Sequence, residues 1–230
     1  AYTVQAGALP TGLSLNGSTG AITGTPTVSG PFEATIRVAN DSGFVDRELD
    51  ITVNGFRYGL ATAVYGKRFA ISANNPDSIT GTGGNYTVTP ALPAGLSLDF
   101  NTGAITGTPT LQAATAKYAV SRDFSGSTAI DTVTLTVNGF TYSVINGSYD
   151  QGLEITPNTP TSVIGEGGTY SVDPALPPGL SLNASTGVIS GSTDEIQPNT
   201  GYEITRNFNG ATARDSIFIH IHLRAPTGLN

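Results

Sequence analysis

The sequence predicts an all-β protein built from tandem β-sandwich modules, and three observations support this prediction. The apolar residues are mainly Val, Ile, Leu, Phe and Tyr, which favour half-buried strands. Short apolar runs are broken by turn residues, and the 230 residues include 29 Gly and 14 Pro. One block recurs three times at a period of about 84 residues, which is too long for propeller or solenoid repeats and suits an autonomous sandwich.

The repeat is clearest in a twenty-residue block that begins with Ala-Leu-Pro. Residues 91–110 are ALPAGLSLDFNTGAITGTPT, and residues 8–27 are identical to them at 16 of 20 positions. Residues 175–194 are ALPPGLSLNASTGVISGSTD, so the blocks are offset by 83 and then 84 residues. A second anchor, ITVNGF at 51–56 and LTVNGF at 135–140, keeps the same period. The predicted divisions are module 1 at 1–55, module 2 at 56–139, module 3 at 140–223, and a tail or linker at 224–230.

Module 2 shows the elements predicted for a complete module. The candidate strands, in order, are 57–64, 67–72, 86–88, 96–98, 104–106, 117–122 and 128–137. Pro76 ends the second of these, because proline cannot donate to a ladder, and Gly95 is expected at positive φ in the turn before the central hairpin. No segment has the length and period of a helix.

The last strand of each module alternates cleanly between apolar and polar residues. The residues predicted to face the core are Val133, Leu135 and Val137 in module 2, Leu49, Ile51 and Val53 in module 1, and Ile217, Ile219 and Ile221 in module 3. Thr134, Thr136 and Asn138 are predicted to face solvent. One buried face per sheet is what a two-sheet sandwich requires.

The run LPxGLSLxxxTGxIxGTPT resembles the signature of the bacterial putative-Ig (He_PIG) family. The matching residues of module 2 are Leu92, Pro93, Gly95, Leu96, Ser97, Leu98, Thr102, Gly103, Ile105, Gly107, Thr108 and Pro109. Module 3 departs from the signature at 192–194. The resemblance implies tandem Ig-like or cadherin-like β-sandwich modules in an extended string, as in secreted or surface bacterial proteins, adhesins among them, and some phage virion proteins. It implies no catalysis and brings no binding residue.

Composition argues against several functional classes. The net charge is −7 and lysine occurs only at Lys67 and Lys117, so nucleic-acid binding is not expected. The absence of Cys excludes disulfides, thiol nucleophiles and cysteine metal sites. No apolar stretch approaches 18 residues, so no membrane span is predicted. No phosphate loop or catalytic constellation stands out, and we expect no enzyme, no catalytic residue and no cofactor.

Two sets of side chains are candidate sites. His220 and His222 share one outward face and could help to bind Zn or Ni, although solvent-facing histidines on a terminal strand are the favoured interpretation. The in-phase segments RDFSG and RNFNG predict hairpins with an exposed aromatic tip, which would make a ligand-binding hot spot of Arg122, Phe124, Arg206 and Phe208. The alternative is that each Phe caps the end of its sandwich.

The carboxylates do not form a cluster of the kind that calcium requires. They are Asp41, Asp46, Asp50, Asp131, Asp173, Asp194, Glu195 and Asp215. Calcium sites need several oxygen ligands brought together at module junctions, and the Asn-Gly-Phe junctions carry none. Asp131 and Asp215 recur at equal phase, which predicts a local turn contact in preference to calcium.

Module 1 is shorter than the others at its beginning. Module 2 has 30 residues before Tyr86, whereas its equivalent Tyr2 follows a single residue. Module 1 is therefore expected to lack its opening strands and to expose core side chains and open sheet edges. Either the chain is a piece of a longer array, or another chain supplies the strands by donor-strand complementation.

The predicted role is a non-catalytic stalk or spacer in a bacterial extracellular surface protein such as an adhesin. One alternative is a subunit of an extracellular filament or phage virion that assembles by strand complementation of module 1. Another is a carbohydrate- or protein-binding module that uses the loop tips. The expected partners are adjacent modules of the same or a neighbouring chain, and a surface glycan or protein.

Overall fold

The structure of the protein is a computed structural model that describes residues 1–225. These residues contain eighteen β-strands and no helix, and so no helix that could cross a membrane. The strands repeat in three groups that follow the sequence repeat. The all-β prediction is therefore confirmed, and residues 226–230 of the predicted tail lie outside the described residues.

Module 2 is a sandwich whose main sheet joins strands that are distant in sequence. Its strands are β6 (Thr62–Gly66), β7 (Tyr86–Thr89), β8 (Leu96–Leu98), β9 (Ile105–Gly107), β10 (Ala113–Asp123) and β11 (Thr128–Tyr142). Antiparallel β7, β10 and β11 are neighbours in that order, and β6 adds to β11 in parallel. Strands β8 and β9 form a separate hairpin, and Gly95 before it has the predicted positive φ, at 89°.

Module 3 repeats this topology. Its strands are β12 (Asn146–Asp150), β13 (Pro160–Ile164), β14 (Tyr170–Asp173), β15 (Leu180–Leu182), β16 (Ile189–Gly191), β17 (Gln197–Phe208) and β18 (Ala211–His222). β12 adds in parallel to β18, as β6 does to β11. β13 pairs with the far end of β11, so β11 contributes to both modules and runs through the predicted boundary at 139/140.

Module 1 contains only the later part of this topology. Its strands are β1 (Tyr2–Gly7), β2 (Leu13–Leu15), β3 (Ile22–Gly24), β4 (Gly30–Asn40) and β5 (Gly43–Val53). The main sheet has the order β1-β4-β5, and the β2-β3 hairpin matches β8-β9. Within residues 1–225, no strand takes the place on β5 that β6 has on β11.

The cores of modules 2 and 3 follow the predicted alternation. Val133, Leu135 and Val137 are fully buried, and their counterparts in β18 are at most 2% exposed. Edge-to-face aromatic pairs complete each core, with Phe140 and Tyr170 at 5.2 Å between ring centroids. Aromatic pairs of this geometry contribute about 0.5–1.5 kcal/mol beyond their buried area.

Module 1 has a much poorer core. Among its described apolar side chains only Pro10, Ala34 and Ile36 are buried, and the predicted core residues Leu49, Ile51 and Val53 are half-buried. Phe44 and Val45 at the start of β5 are mostly exposed. At residues 50–53 the edge of β5 is unpaired, whereas the equivalent residues 134–137 of β11 pair with β6 in module 2.

Two local predictions were wrong. Residues 67–72 do not form a strand, because the chain turns at Lys67 and Arg68, and Arg68 has a positive φ of 63°. Asn138 is 3% exposed although it was predicted to face solvent. Both differences arise where module 2 contacts module 3.

Candidate functional site

The contact between modules 2 and 3, called here the closed junction, is made by the turn after β6. Residues 66–69 of this turn pack against the beginning of β18, residues 212–216. The backbone N–H of Lys67 donates to the Asn138 carbonyl at 2.8 Å, and its carbonyl accepts from the Arg214 N–H at 3.2 Å. The Arg68 N–H donates to the Pro109 carbonyl at 2.7 Å. The turn is thus tied by its backbone to both modules.

An ion pair lies at the centre of the closed junction. Lys67 Nζ is 2.9 Å from Asp215 Oδ1, and these side chains are only 3% and 4% exposed. Nζ also donates to the Phe140 carbonyl at 2.8 Å. A buried charge is tolerated when it is paired and hydrogen-bonded, and both conditions are met here.

The in-phase aspartates accept backbone hydrogen bonds from the start of their modules. Asp215 Oδ2 accepts the Tyr142 N–H at 3.2 Å, and Asp131 Oδ2 accepts the Tyr58 N–H at 2.8 Å. The prediction of a local turn contact was therefore wrong, because each donor lies 73 residues earlier in the chain. The two equivalent carboxylates thus hold the backbone at the start of modules 2 and 3 in the same way.

Close packing makes two glycines necessary at the closed junction. A Cβ at Gly66 would lie 1.7 Å from the Thr212 carbonyl oxygen, and one at Gly139 would lie 2.9 Å from Lys67 Cβ. Around this contact, the Arg214 guanidinium stacks 4.0 Å from the Phe69 ring centroid, and Arg68 donates to Ser216 Oγ at 2.6 Å. Backbone and side-chain contacts together fix the two modules against each other.

The contact between modules 1 and 2 is called here the open junction. It repeats the half of this arrangement that accepts the lysine, namely the aspartate and the strand that carries it. It holds a cleft of about 860 Å³ that is lined by Pro26, Val53, Phe56, Ile130 and Asp131, among others. Asp131 is half-buried, whereas the equivalent Asp215 is buried. Ile130 is 65% exposed, whereas the equivalent Arg214 stacks on Phe69. The cleft lies where the turn of residues 66–69 lies in the closed junction.

Two buried tyrosine hydroxyls bind the hairpins of their modules. Tyr58 donates to the Gly103 carbonyl at 2.5 Å, and Tyr142 donates to the Gly187 carbonyl at 2.6 Å. Burial is the main cause that raises the pKa of both hydroxyls well above the ordinary value of 10, and a neighbouring tyrosine and aspartate add to it. These groups stay neutral at physiological pH and have structural partners.

The arginines and aromatics of the RDFSG and RNFNG segments do not form exposed tips. Phe124 and Phe208 are 3% and 6% exposed, so the predicted exposed aromatic is wrong and each ring closes the end of its sandwich. Arg122 lies 4.4 Å from the Phe124 ring centroid and donates to the Gly83 carbonyl. Arg206 repeats these contacts with Phe208 and Gly167. Ligand binding by these four residues stays a prediction, and each now has a structural partner.

His220 and His222 lie side by side on β18, with ring centroids 5.6 Å apart. His222 Nε2 is 3.0 Å from Asp150 Oδ1, and Nδ1 is 3.4 Å from Ser148 Oγ. Both ring nitrogens of His222 thus have neighbours on β12. Between residues 1 and 225, no three His, Cys, Asp or Glu side chains are grouped so that they could hold a metal ion.

Sequence reasoning missed Lys67 as the central residue of the closed junction. The residues that accept the lysine could be recognised from the repeat, because Asp131 and Asp215 recur at equal phase and Asn-Gly-Phe recurs at 54–56 and 138–140. The lysine itself is not repeated, since Gln151 of module 3 occupies the position that Lys67 has in module 2. A lysine present in only one of the two modules that contain this position has no pattern from which its role could be predicted.

Comparison with protein families identifies the repeat. The family described as "Putative Ig domain" (He_PIG) matches residues 1–54, 57–138 and 140–221. These three stretches cover nearly the whole chain. No curated protein matches the chain.

Several solved structures resemble the chain at low identity. An endo-fucoidan hydrolase of glycoside hydrolase family 107 is 15% identical, with a TM-score of 0.28, and the match covers 98% of this chain and 39% of that one. Drosophila N-cadherin EC1-4 is 12% identical, with a TM-score of 0.29, and the match covers 97% and 66%. A SusE-like surface located polysaccharide binding protein from Bacteroides thetaiotaomicron is 12% identical, with a TM-score of 0.36, and the match covers 99% and 55%. The chain thus spans about 40% of the first protein's length. At these identities and TM-scores, the similarities give no information about function.

Proposed function

Because the chain belongs to the He_PIG family of Ig-like domains, we propose that it serves as a non-catalytic spacer in a bacterial extracellular surface protein such as an adhesin. The observation that carries this proposal is the closed junction. A spacer must hold its modules at a fixed separation, and a junction built from a shared strand and a buried ion pair restricts their relative motion. Modules joined by a free linker would have no such contacts.

The structure of the junction supports a fixed geometry in two ways. β11 continues from the core of module 2 into pairing with β13 of module 3, so no flexible residue separates them. Breaking the contact would also expose Lys67 and Asp215, whose charges are satisfied by each other, by backbone groups of the junction and, for Asp215, by the Arg68 guanidinium at 3.8 Å. Both features favour one arrangement of modules 2 and 3.

Distance measurements between spin labels test this proposal. The chain has no cysteine, so Ser14, Ser97 and Ser181, which are exposed equivalents in the three modules, can be changed to cysteine in pairs. We expect a narrow distance distribution for the Ser97–Ser181 pair, across the closed junction. The Ser14–Ser97 pair, across the open junction, is the matched control and should give a broader distribution. A broad distribution for Ser97–Ser181 would contradict the spacer proposal.

The open edge of β5 favours a second candidate function, which is a subunit of an extracellular filament or virion. A sheet edge with half-buried core residues beside it can accept a strand from another polypeptide. β5 has both properties, since Leu49, Ile51 and Val53 are half-buried and its second edge has no partner strand within residues 1–225. Assembly of the purified chain into polymers, followed by sedimentation, tests this candidate.

A further inference from the structure

We propose that Asn209–Gly210 is a site of spontaneous chemical modification, at which the asparagine is converted to aspartate or isoaspartate and the closed junction is loosened. Asparagine is among the thermolabile residues of proteins. The chain has five Asn-Gly pairs, at 16–17, 54–55, 138–139, 146–147 and 209–210. Their surroundings differ, and the last pair is the one whose reacting groups are both free. The inference goes beyond the spacer proposal and does not depend on it.

The reaction takes place between two neighbours in the chain. The Gly210 backbone nitrogen attacks Asn209 Cγ, so that a bond forms between these atoms while the bond from Cγ to Nδ2 breaks. Nδ2 leaves as ammonia and takes the Gly210 amide proton with it. Water then opens the cyclic imide, giving aspartate if the bond to Cγ is cleaved and isoaspartate if the bond to the main-chain carbonyl is cleaved. Nothing is oxidised or reduced, and water is the only co-reactant.

The Asn209–Gly210 pair forms the whole turn between β17 and β18. Both residues are exposed, and a Cβ added at Gly210 would meet nothing within 4 Å, so the nitrogen is unhindered. The Asn209 backbone N–H donates to the Glu166 carbonyl at 3.0 Å, which holds the backbone of this residue and not its side chain. Within residues 1–225, neither the Gly210 N–H nor the Asn209 side-chain amide makes a hydrogen bond. Nucleophile and electrophile are therefore both available.

Three of the other pairs have a buried glycine that belongs to a strand or a bridge. The Gly55 N–H donates to the Thr80 carbonyl at 3.0 Å. Gly139 pairs with Ile164, and Gly147 lies within β12. A backbone held in this way has to open locally before its nitrogen can reach the preceding side chain, and local opening is rare in the paired part of a fold.

Asn16–Gly17 is the most demanding comparison, because it is exposed in a loop as Asn209–Gly210 is. Asn16 Oδ1 accepts the backbone N–H groups of Ser18 at 2.9 Å and Thr19 at 3.0 Å. The Gly17 carbonyl accepts the Tyr2 N–H at 2.7 Å. These hydrogen bonds fix the asparagine amide and the glycine backbone, and both have to turn before they can react.

The product would act on the closed junction because the turn directly precedes the part of β18 that forms it. Two residues after Gly210, the Thr212 carbonyl faces Gly66, and two residues later the Arg214 N–H donates to the Lys67 carbonyl at 3.2 Å. Isoaspartate adds a methylene to the backbone of a two-residue turn. Since the turn sets the register of a hairpin, the start of β18 would be displaced from its place against module 2.

Timed incubation of the whole chain at neutral pH, followed by proteolysis and mass spectrometry, tests the site. We expect Asn209 to gain the mass of an amide-to-acid change, and to become a substrate for isoaspartyl methyltransferase, about tenfold faster than any other pair, because the others have to open first. In urea, which removes the local structure, the five pairs should react at similar rates. An equal or faster reaction at Asn16 in the folded chain would overturn the proposal.

The matched variant is Asn209→Ser, because serine has this position in module 2, at Ser125. It should remove the fast modification. In the unchanged chain, incubation should speed hydrogen exchange of the Arg214 amide by about tenfold in the modified fraction, whereas Asn209→Ser should show no change. Asn209→Asp carries the new charge without the added methylene and should also keep Arg214 protected. A modified chain with full protection at Arg214 would refute the effect on the junction, and the spacer proposal is tested separately on freshly prepared chain.

Discussion

Removal of one partner of the Lys67–Asp215 pair should destabilise the protein far more than the matching change at the open junction. Two unit charges 2.9 Å apart attract each other by about 6 kcal/mol at an effective dielectric constant of 20. Much of this attraction is offset by the cost of taking both charges out of water. Breaking a buried pair on one side nevertheless costs about 3–5 kcal/mol, because the remaining charge is left buried without a partner.

The perturbation is Asp215→Asn, which keeps an oxygen to accept the Tyr142 N–H but leaves Lys67 without its counter-charge. We expect the free energy of unfolding to fall by about 3–5 kcal/mol, measured by urea denaturation followed by circular dichroism. Asp131→Asn makes the same chemical change where no lysine is present and should cost only about 0.5–1.5 kcal/mol. Lys67→Met combined with Asp215→Asn should recover part of the loss, since no uncompensated charge then remains.

Equal costs for Asp215→Asn and Asp131→Asn would refute the reasoning. They would mean that the ion pair contributes nothing beyond the backbone hydrogen bond that both carboxylates accept. The same conclusion would follow if the double variant recovered none of the lost unfolding free energy, because the two side chains would then act independently.

Three further predictions concern other parts of the fold. Gly66→Ala should broaden the Ser97–Ser181 distance distribution, since its Cβ would lie 1.7 Å from the Thr212 carbonyl oxygen, whereas Gly17→Ala, with its nearest contact at 3.4 Å, should leave that distribution unchanged. Burial raises the pKa of Tyr142, so the neutral hydroxyl stabilises the folded state below pH 10 and this stability is lost as pH rises above 10. Tyr142→Phe should therefore flatten the alkaline part of a plot of unfolding free energy against pH, and a slope equal to that of the unchanged chain would contradict this. Arg206→Lys should lower stability by about 1–2 kcal/mol through loss of the paired hydrogen bonds to Gly167 and of the stacking on Phe208, whereas Arg57→Lys on the exposed surface should have no measurable effect in urea denaturation.

The parts of the fold that depend on local alternation could be predicted from the sequence. Val133, Leu135 and Val137 alternate with polar residues, and burial of one strand face follows directly from that period. The glycine at position 95 was predicted at positive φ because the turn before a hairpin requires it. These features need only neighbouring residues, and they recur in every module.

The parts that depend on contacts between modules could not be predicted in the same way. Asn138 has the polar side chain of a solvent-facing strand residue, and it is buried only because module 3 covers it. Lys67 and Asp215 are 148 residues apart, and nothing in the sequence around either residue identifies the other. Phe124 and Phe208 lie at the ends of strands, directly before turn residues, where an exposed ring and a ring that folds back over its own arginine have the same sequence pattern.

The parallel pairing of the first and last strands of a module also determines how the protein would respond to tension. β6 lies near the entry of module 2 and β11 at its exit, and five residue pairs join them in parallel. When the ends of the module are pulled in opposite directions, these strands slide along each other, so their hydrogen bonds are loaded together in shear instead of opening one by one. β12 and β18 have the same five-pair geometry in module 3. Since resistance to forced unfolding depends on the unfolding rate and not on equilibrium stability, modules of modest stability can sustain a large pulling force.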